Sequence, residues 1–228
     1  MSIKQTGFET PKIAAANEPH LACVLLLDTS GSMAGEPIKS LNKGINDFRE
    51  KTSLDEMAKK RVDIAIITFD DETSLVQDFT PILDMKSVEL ETGGITNMGA
   101  AINFAIDKVK ERNKFYDSMG TKCFKPWIFM ITDGVPTDKI DAAAKRIAEE
   151  ETKGKLKFIA LGVEDYDKDV LFQITNKVME LKDTDFSGIF NWLSESMATI
   201  SVSRVGAEAQ LPELPDGARK ADKDVSDW

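Results

Sequence analysis

Two apolar runs limit what this 228-residue chain can become. Residues 21–27 (LACVLLL) and 126–132 (PWIFMIT) carry no alternation of apolar and polar side chains. Each therefore reads as a strand buried on both faces, the kind found inside a parallel sheet. Each run leads into a carboxylate, Asp28 or Asp133, and each carboxylate opens a turn. Ligands of open α/β sheets bind outside the carboxyl ends of the strands, so these two turns are the first place to look for a site.

The rest of the chain supplies the layers. Residues 61–69 (RVDIAIITF) and 73–79 (TSLVQDF) flank Asp70-Asp71-Glu72. So short a connection forces a hairpin, whose second strand is antiparallel and expected at an edge. The acidic tip is read as solvated turn formers rather than metal ligands. Residues 155–163 and 178–181 give two more strands. Helices are expected from Pro37, with Ile38, Leu41, Ile45 and Phe48 on one face; from Asn97, with Ile102, Ala105, Ile106 and Val109; over 138–153, capped by Thr137; near 168–176; and over 186–201. Residues 81–91 are read as a connection or short helix, and 113–125 as a polar connector. Gly44 either permits close approach to the sheet or is a chance helix position. Trp192 lies off the apolar stripe of the last helix, as a partner anchor or, more commonly, packed against a loop. The alternation predicts an α/β, three-layer, Rossmann-like fold: a mainly parallel sheet, one antiparallel edge strand, and helices on both faces. Residues 1–18 are expected to form an arm, 19–203 one domain, and 204–228 a flexible tail with Trp228 near its end.

A net charge of −10 argues against nucleic acid or an anionic membrane as partner, because both select a basic face. Cys23 and Cys123 are too few and too far apart for a disulfide framework or a zinc ribbon, so both are expected reduced. With no membrane-length apolar run and no signal-peptide pattern, the expected location is the cytoplasm.

Asp28, Ser30 and Ser32 offer one carboxylate and two hydroxyls at alternate positions of a turn. Alone they are ordinary turn and cap residues. The Gly-rich loop 92–99 (TGGITNMG) adds Thr96 just before a helix, and the second buried strand adds Asp133. Five hard oxygen donors suit a small divalent cation and suit soft metals poorly.

Asp28-x-Ser30-x-Ser32, Thr96 in its GGITNMG loop and Asp133-Gly134 together resemble the metal-ion-dependent adhesion site of von Willebrand factor type A (VWA) domains, over about residues 19–203. The stretch DTSGSMAGEPI and the short membrane-free layout look most like the bacterial cytoplasmic VWA proteins of tellurium-resistance and stress-response operons. The resemblance implies that Ser30 and Ser32 bind the metal directly, Thr96 directly or through water, and Asp28 and Asp133 mainly through water. It implies Mg²⁺, with Mn²⁺ or Ca²⁺ as alternatives, and one coordination position left for a Glu or Asp of a protein partner, with kinase or phosphatase components of a stress operon as candidates. No catalytic residue is implied. Two rival readings are an idle metal site on a scaffold that binds through another surface, and a haloacid-dehalogenase-like phosphatase. The second lacks its general acid, since Ser30 stands where a second carboxylate is needed. The lone His20 precedes its strand, which leaves little scope for Ser-His-Asp chemistry.

Overall fold

The computed structural model describes residues 3–5, 12–164 and 166–221. All eight residues of the strand Leu21–Asp28 (hereafter β2, after a short β1 at Ile3–Gln5) are buried. Its side chains divide between two cores: Leu21, Cys23, Leu25 and Leu27 on one face, Ala22, Val24 and Leu26 on the other. Two apolar faces are the physical reason the run shows no alternation.

The other strands are β3 (Val62–Phe69), β4 (Thr73–Pro81), β5 (Trp127–Thr132), β6 (Lys157–Val163), β7 (Val178–Leu181) and β8 (Ala218–Lys220). Among the described residues they form one sheet of order β1-β4-β3-β2-β5-β6-β7-β8. β2 pairs in parallel with both β3 and β5, and β5, β6 and β7 continue in parallel. The hairpin strand β4 is antiparallel to β3 as expected. The short β1 lies beyond it, parallel to Thr73–Leu75.

Helices α1 (Glu36–Leu54), α2 (Ala58–Arg61) and α6 (Ser187–Val202) cover the first face, and α3 (Met98–Ser118), α4 (Asp141–Thr152) and α5 (Lys168–Ile174) the second. The predicted inward residues of α1 and α3 are all buried. Gly44 serves a close approach, though to a helix rather than to the sheet: a Cβ there would stand 2.4 Å from the Phe190 ring of α6. Trp192 is buried, and its Nε1 donates to the Pro212 carbonyl at 3.0 Å. It is packed on a loop and is not available as a partner anchor.

Three stretches differ from expectation. Helix α3 continues to Ser118, so Arg112 and Tyr116, within the expected polar connector or at its border, are buried helix residues. Helix α4 begins at Asp141, and Thr137 donates to Asn97 Oδ1 instead of capping it. Residues 204–221 are packed rather than loose. Val205, Ala209, Leu211 and Leu214 lie against the first core, and β8 pairs antiparallel with β7. Single apolar residues at irregular spacing carry this contact, which is why no periodicity announced it. Trp228 lies outside the described residues. Cys23 and Cys123 are free thiols, and burial pushes the Cys23 thiol up to about 12. Among the described residues no helix is long and apolar enough to cross a membrane.

Candidate metal centre

From β2 the chain passes to β3 on one side and, later, to β5 on the other, which makes the gap beyond β2 and β5 the topological switch point of the sheet. Asp28 ends β2 there, and Asp133 follows β5. Asp28 is fully buried; its Oδ1 accepts the Ser30 N–H at 2.8 Å and its Oδ2 accepts the Thr132 hydroxyl at 2.5 Å. These bonds bend the chain into the turn that carries both serines. Ser30 Oγ and Ser32 Oγ lie 3.1 Å apart, and the Ser32 hydroxyl donates to Asp133 Oδ1 at 2.7 Å. Asp28 and Ser30 form the floor, while Ser32 is exposed at the rim.

Thr96 joins from the loop before α3. A Cβ added to Gly134 would stand 2.9 Å from Thr96 Oγ1 and 3.3 Å from Asp28 Oδ2. Gly134 therefore backs onto both, and all five predicted residues come together.

The electrostatics fit a cation. Burial pushes the Asp28 carboxyl up to about 6, against hydrogen bonds from Ser30 and Thr132, and the Asp133 carboxylate adds to the rise. Burial also raises Asp133, with the Ser32 hydroxyl pulling the other way. Two carboxylates held above their ordinary range in one site, beside three hydroxyls, are a donor set that a divalent cation would relieve. Among the described residues no three His, Cys, Asp or Glu side chains gather to hold a metal. The set is consistent with that, being mostly hydroxyl.

Residues not predicted hold the Thr96 loop in place. The Asp71 carboxylate at the β3–β4 hairpin tip accepts the Ile95 N–H at 2.8 Å, and Asn97 Nδ2 donates to the Asp71 carbonyl at 2.8 Å. Gly94, at φ +68°, lies against that carboxylate: a Cβ would meet Asp71 Cγ at 2.6 Å. Asp70 Oδ2 accepts the Thr29 hydroxyl at 3.3 Å, and the Asp70 carbonyl accepts the Asn97 N–H at 3.0 Å. The acidic hairpin tip, with Asp71 exposed as expected of a solvated turn, is thus also a tether for the loop. Asp138 receives the Gly99 and Ala100 N–H groups, both at 2.9 Å, and fixes the start of α3. Replacing Asp71 by Ala is expected to weaken metal binding by about 10–100-fold, the usual cost of losing an outer hydrogen-bonding partner. A calorimetric titration with Mn²⁺ measures it; unchanged affinity would show that the tether does not position Thr96.

The fold and this cluster define a doubly wound α/β domain with an oxygen-lined site at its switch point. The chain belongs to the von Willebrand factor type A domain family, whose profile matches residues 23–191. Among solved structures it is similar to the von Willebrand factor domain of the pilus tip protein Mfa5 from Porphyromonas gingivalis, at 13% identity and TM-score 0.64, covering 84% of this chain and 99% of that one. It is similar to VWA2, an ArnB paralog from Sulfolobus acidocaldarius, at 18% identity and TM-score 0.53, covering 79% and 46%. A third is proximal thread matrix protein 1 of the mussel byssus, solved with its MIDAS motif occupied by zinc, at 17% identity and TM-score 0.55, covering 80% and 48%. The chain spans about half the length of the archaeal and mussel proteins. No curated protein sequence matches it.

Proposed function

We propose that this chain is a protein-interaction module that binds an acidic side chain of its partner through a divalent cation. Asp28, Ser30, Ser32, Thr96 and Asp133 would hold the ion, Mg²⁺ first, with Mn²⁺ or Ca²⁺ as alternatives. The observation that carries the reading is the convergence of three neutral hydroxyls and only two carboxylates at the switch point. Such a set leaves an ion with positive charge to spare, and that charge attracts an outside carboxylate. Ile95 and Val135 are 52% and 56% exposed beside the site, so a partner's Glu or Asp with an apolar neighbour fits the rim. The zinc-occupied motif of the mussel protein supports a divalent metal at such a site.

The same reading makes the chain a non-enzyme of the cytoplasm, working in a bacterial stress-response system of the tellurium-resistance type, with partners among its kinase or phosphatase components. His20 is bonded to Asp63 and to the Ala15 carbonyl, before the start of β2, and so is not placed for Ser-His-Asp chemistry beside Asp28. The domain is read as residues 19–203, with 1–18 as an arm; of the stretch expected as a flexible tail, 204–228, residues 204–221 pack on the domain.

The test uses Mn²⁺, whose bound water is visible in water-proton relaxation. Mn²⁺ is expected to enhance relaxation in the wild type, and acetate, a free carboxylate, to reduce that enhancement by displacing the water. Ser30→Ala should abolish the Mn²⁺ signal. A signal that survives the substitution would place the metal elsewhere, and one that acetate cannot quench would remove the open position.

A further inference from the structure

At the end of the sheet opposite Asp28, where β5 and β6 begin, a cleft of about 1020 Å³ opens between α3, the end of α4 and the chain that follows α6. Phe124, Trp127 and Leu156 are part of its apolar wall. Its charge runs against the molecule. In a chain of net charge −10, seven lysines and four carboxylates line this one cleft. Glu150 accounts for Lys110 and Lys153, at 3.0 and 3.2 Å, and Glu151 for Lys177 at 2.9 Å. Among the described residues Lys114, Lys125, Lys155 and Lys157 have no ion-pair partner.

Lys157 is the most constrained of them. It is half-buried, with its Nζ 4.9 Å from the centre of the Trp127 ring. Burial, then Lys125, then Lys177 press its ammonium down to about 8, against a weaker opposing pull from Glu208 and Glu151. An ammonium kept partly out of water and close to two other cations is relieved by an anion.

We propose that this cleft binds a phosphate ester, its phosphate held between Lys125 and Lys157 with Lys177 alongside. Two unpaired ammonium groups with a third beside them match a doubly charged phosphate better than a single carboxylate, and Lys binds phosphate as a point charge. The size of the cleft, at the upper end of the roughly 300–1,000 Å³ range of small-molecule sites, calls for more than inorganic phosphate. Trp127 and Lys157 stand in register with Cys23, five residues or roughly 17 Å of strand before Asp28, and the site does not depend on the metal reading.

The test is calorimetric titration of the full chain, stripped of divalent metal so that no metal–phosphate complex forms, with adenosine 5′-monophosphate and glucose 6-phosphate as probes and adenosine and glucose as their uncharged counterparts. At least one phosphate ester is expected to bind and neither counterpart to do so. Lys157→Gln and Lys125→Gln should each weaken binding about 10–100-fold, the worth of one charged hydrogen bond. Both lysine variants must keep the wild-type circular dichroism spectrum and melting temperature. The proposal is overturned if neither ester binds, if binding is equal in Lys157→Gln, or if it emerges only after Asp222, Asp224 and Asp227 are replaced by Asn, which would give the cleft to the chain's own acidic stretch.

Discussion

Replacing Asp63 by Ala is expected to destabilise the domain by about 3–5 kcal/mol, the cost of breaking a buried ion pair and leaving one charge uncompensated. Asp63 is fully buried in β3, and three groups meet on its Oδ2: His20 Nδ1 at 2.9 Å, the Tyr116 hydroxyl at 2.5 Å and the Arg112 guanidinium at 3.0 Å. The guanidinium also lies 4.9 Å from the centres of the Phe115 and Tyr116 rings and 5.6 Å from that of Phe79, and donates to the Lys12 carbonyl at 2.5 Å. Without the carboxylate, Arg112 has no counter-charge in an aromatic setting, and His20 and Tyr116 lose their partner. The network joins the starts of β2 and β3, the end of α3 and the segment before β2, so its loss loosens the whole amino end of the sheet. For a domain of this size the change corresponds to a fall in melting temperature of roughly 6–20 °C. Chemical denaturation followed by circular dichroism measures it. A loss below about 1 kcal/mol, the scale of an exposed ion pair, would show that the network is not the anchor described.

The second large effect lies at the other end of β2. In the wild type, Mg²⁺ at about 100 times its dissociation constant is expected to stabilise the fold by about 2.7 kcal/mol, or roughly 5–11 °C. In Asp28→Asn that shift should disappear while the metal-free protein stays folded. The substitution keeps the shape of the side chain and an oxygen that can accept the Ser30 N–H, so the turn survives. It removes a charge that burial already disfavours, and with it half of the carboxylate charge offered to the ion. Thermal melting of both proteins with and without Mg²⁺ decides the matter. An equal shift in both would mean that Asp28 plays no part in binding the metal.

The sheet was legible because a strand buried on both faces must be apolar throughout, and residues 21–27 and 126–132 obey that rule without exception until Thr132. The five oxygen donors were legible for a related reason. Asp28 and Asp133 follow buried strands, and Thr96 precedes a helix, so each is tied to an element end that the local sequence marks. Asp71 was not legible as a tether, because a carboxylate at a hairpin tip looks the same whether it faces water or the N–H of Ile95, 24 positions away. Asp138 presented the same difficulty, having its partners 38 and 39 residues back at the start of α3. Tyr116 read as part of a polar connector, and Arg112 stood unassigned at its border, because the residue that justifies their burial, Asp63, lies 53 positions from Tyr116. Contacts of long sequence separation leave no periodic trace, and these residues were missed for that reason.

The central claim, a divalent cation held at the ends of β2 and β5, is tested most directly by calorimetric titration of the metal-free chain with Mg²⁺ and Mn²⁺ in parallel with Asp28→Asn and Ser30→Ala. The account predicts one site per wild-type chain for at least one of the two metals, and no measurable binding in either variant. Equal binding in all three proteins, or none of either metal in the wild type, would contradict it.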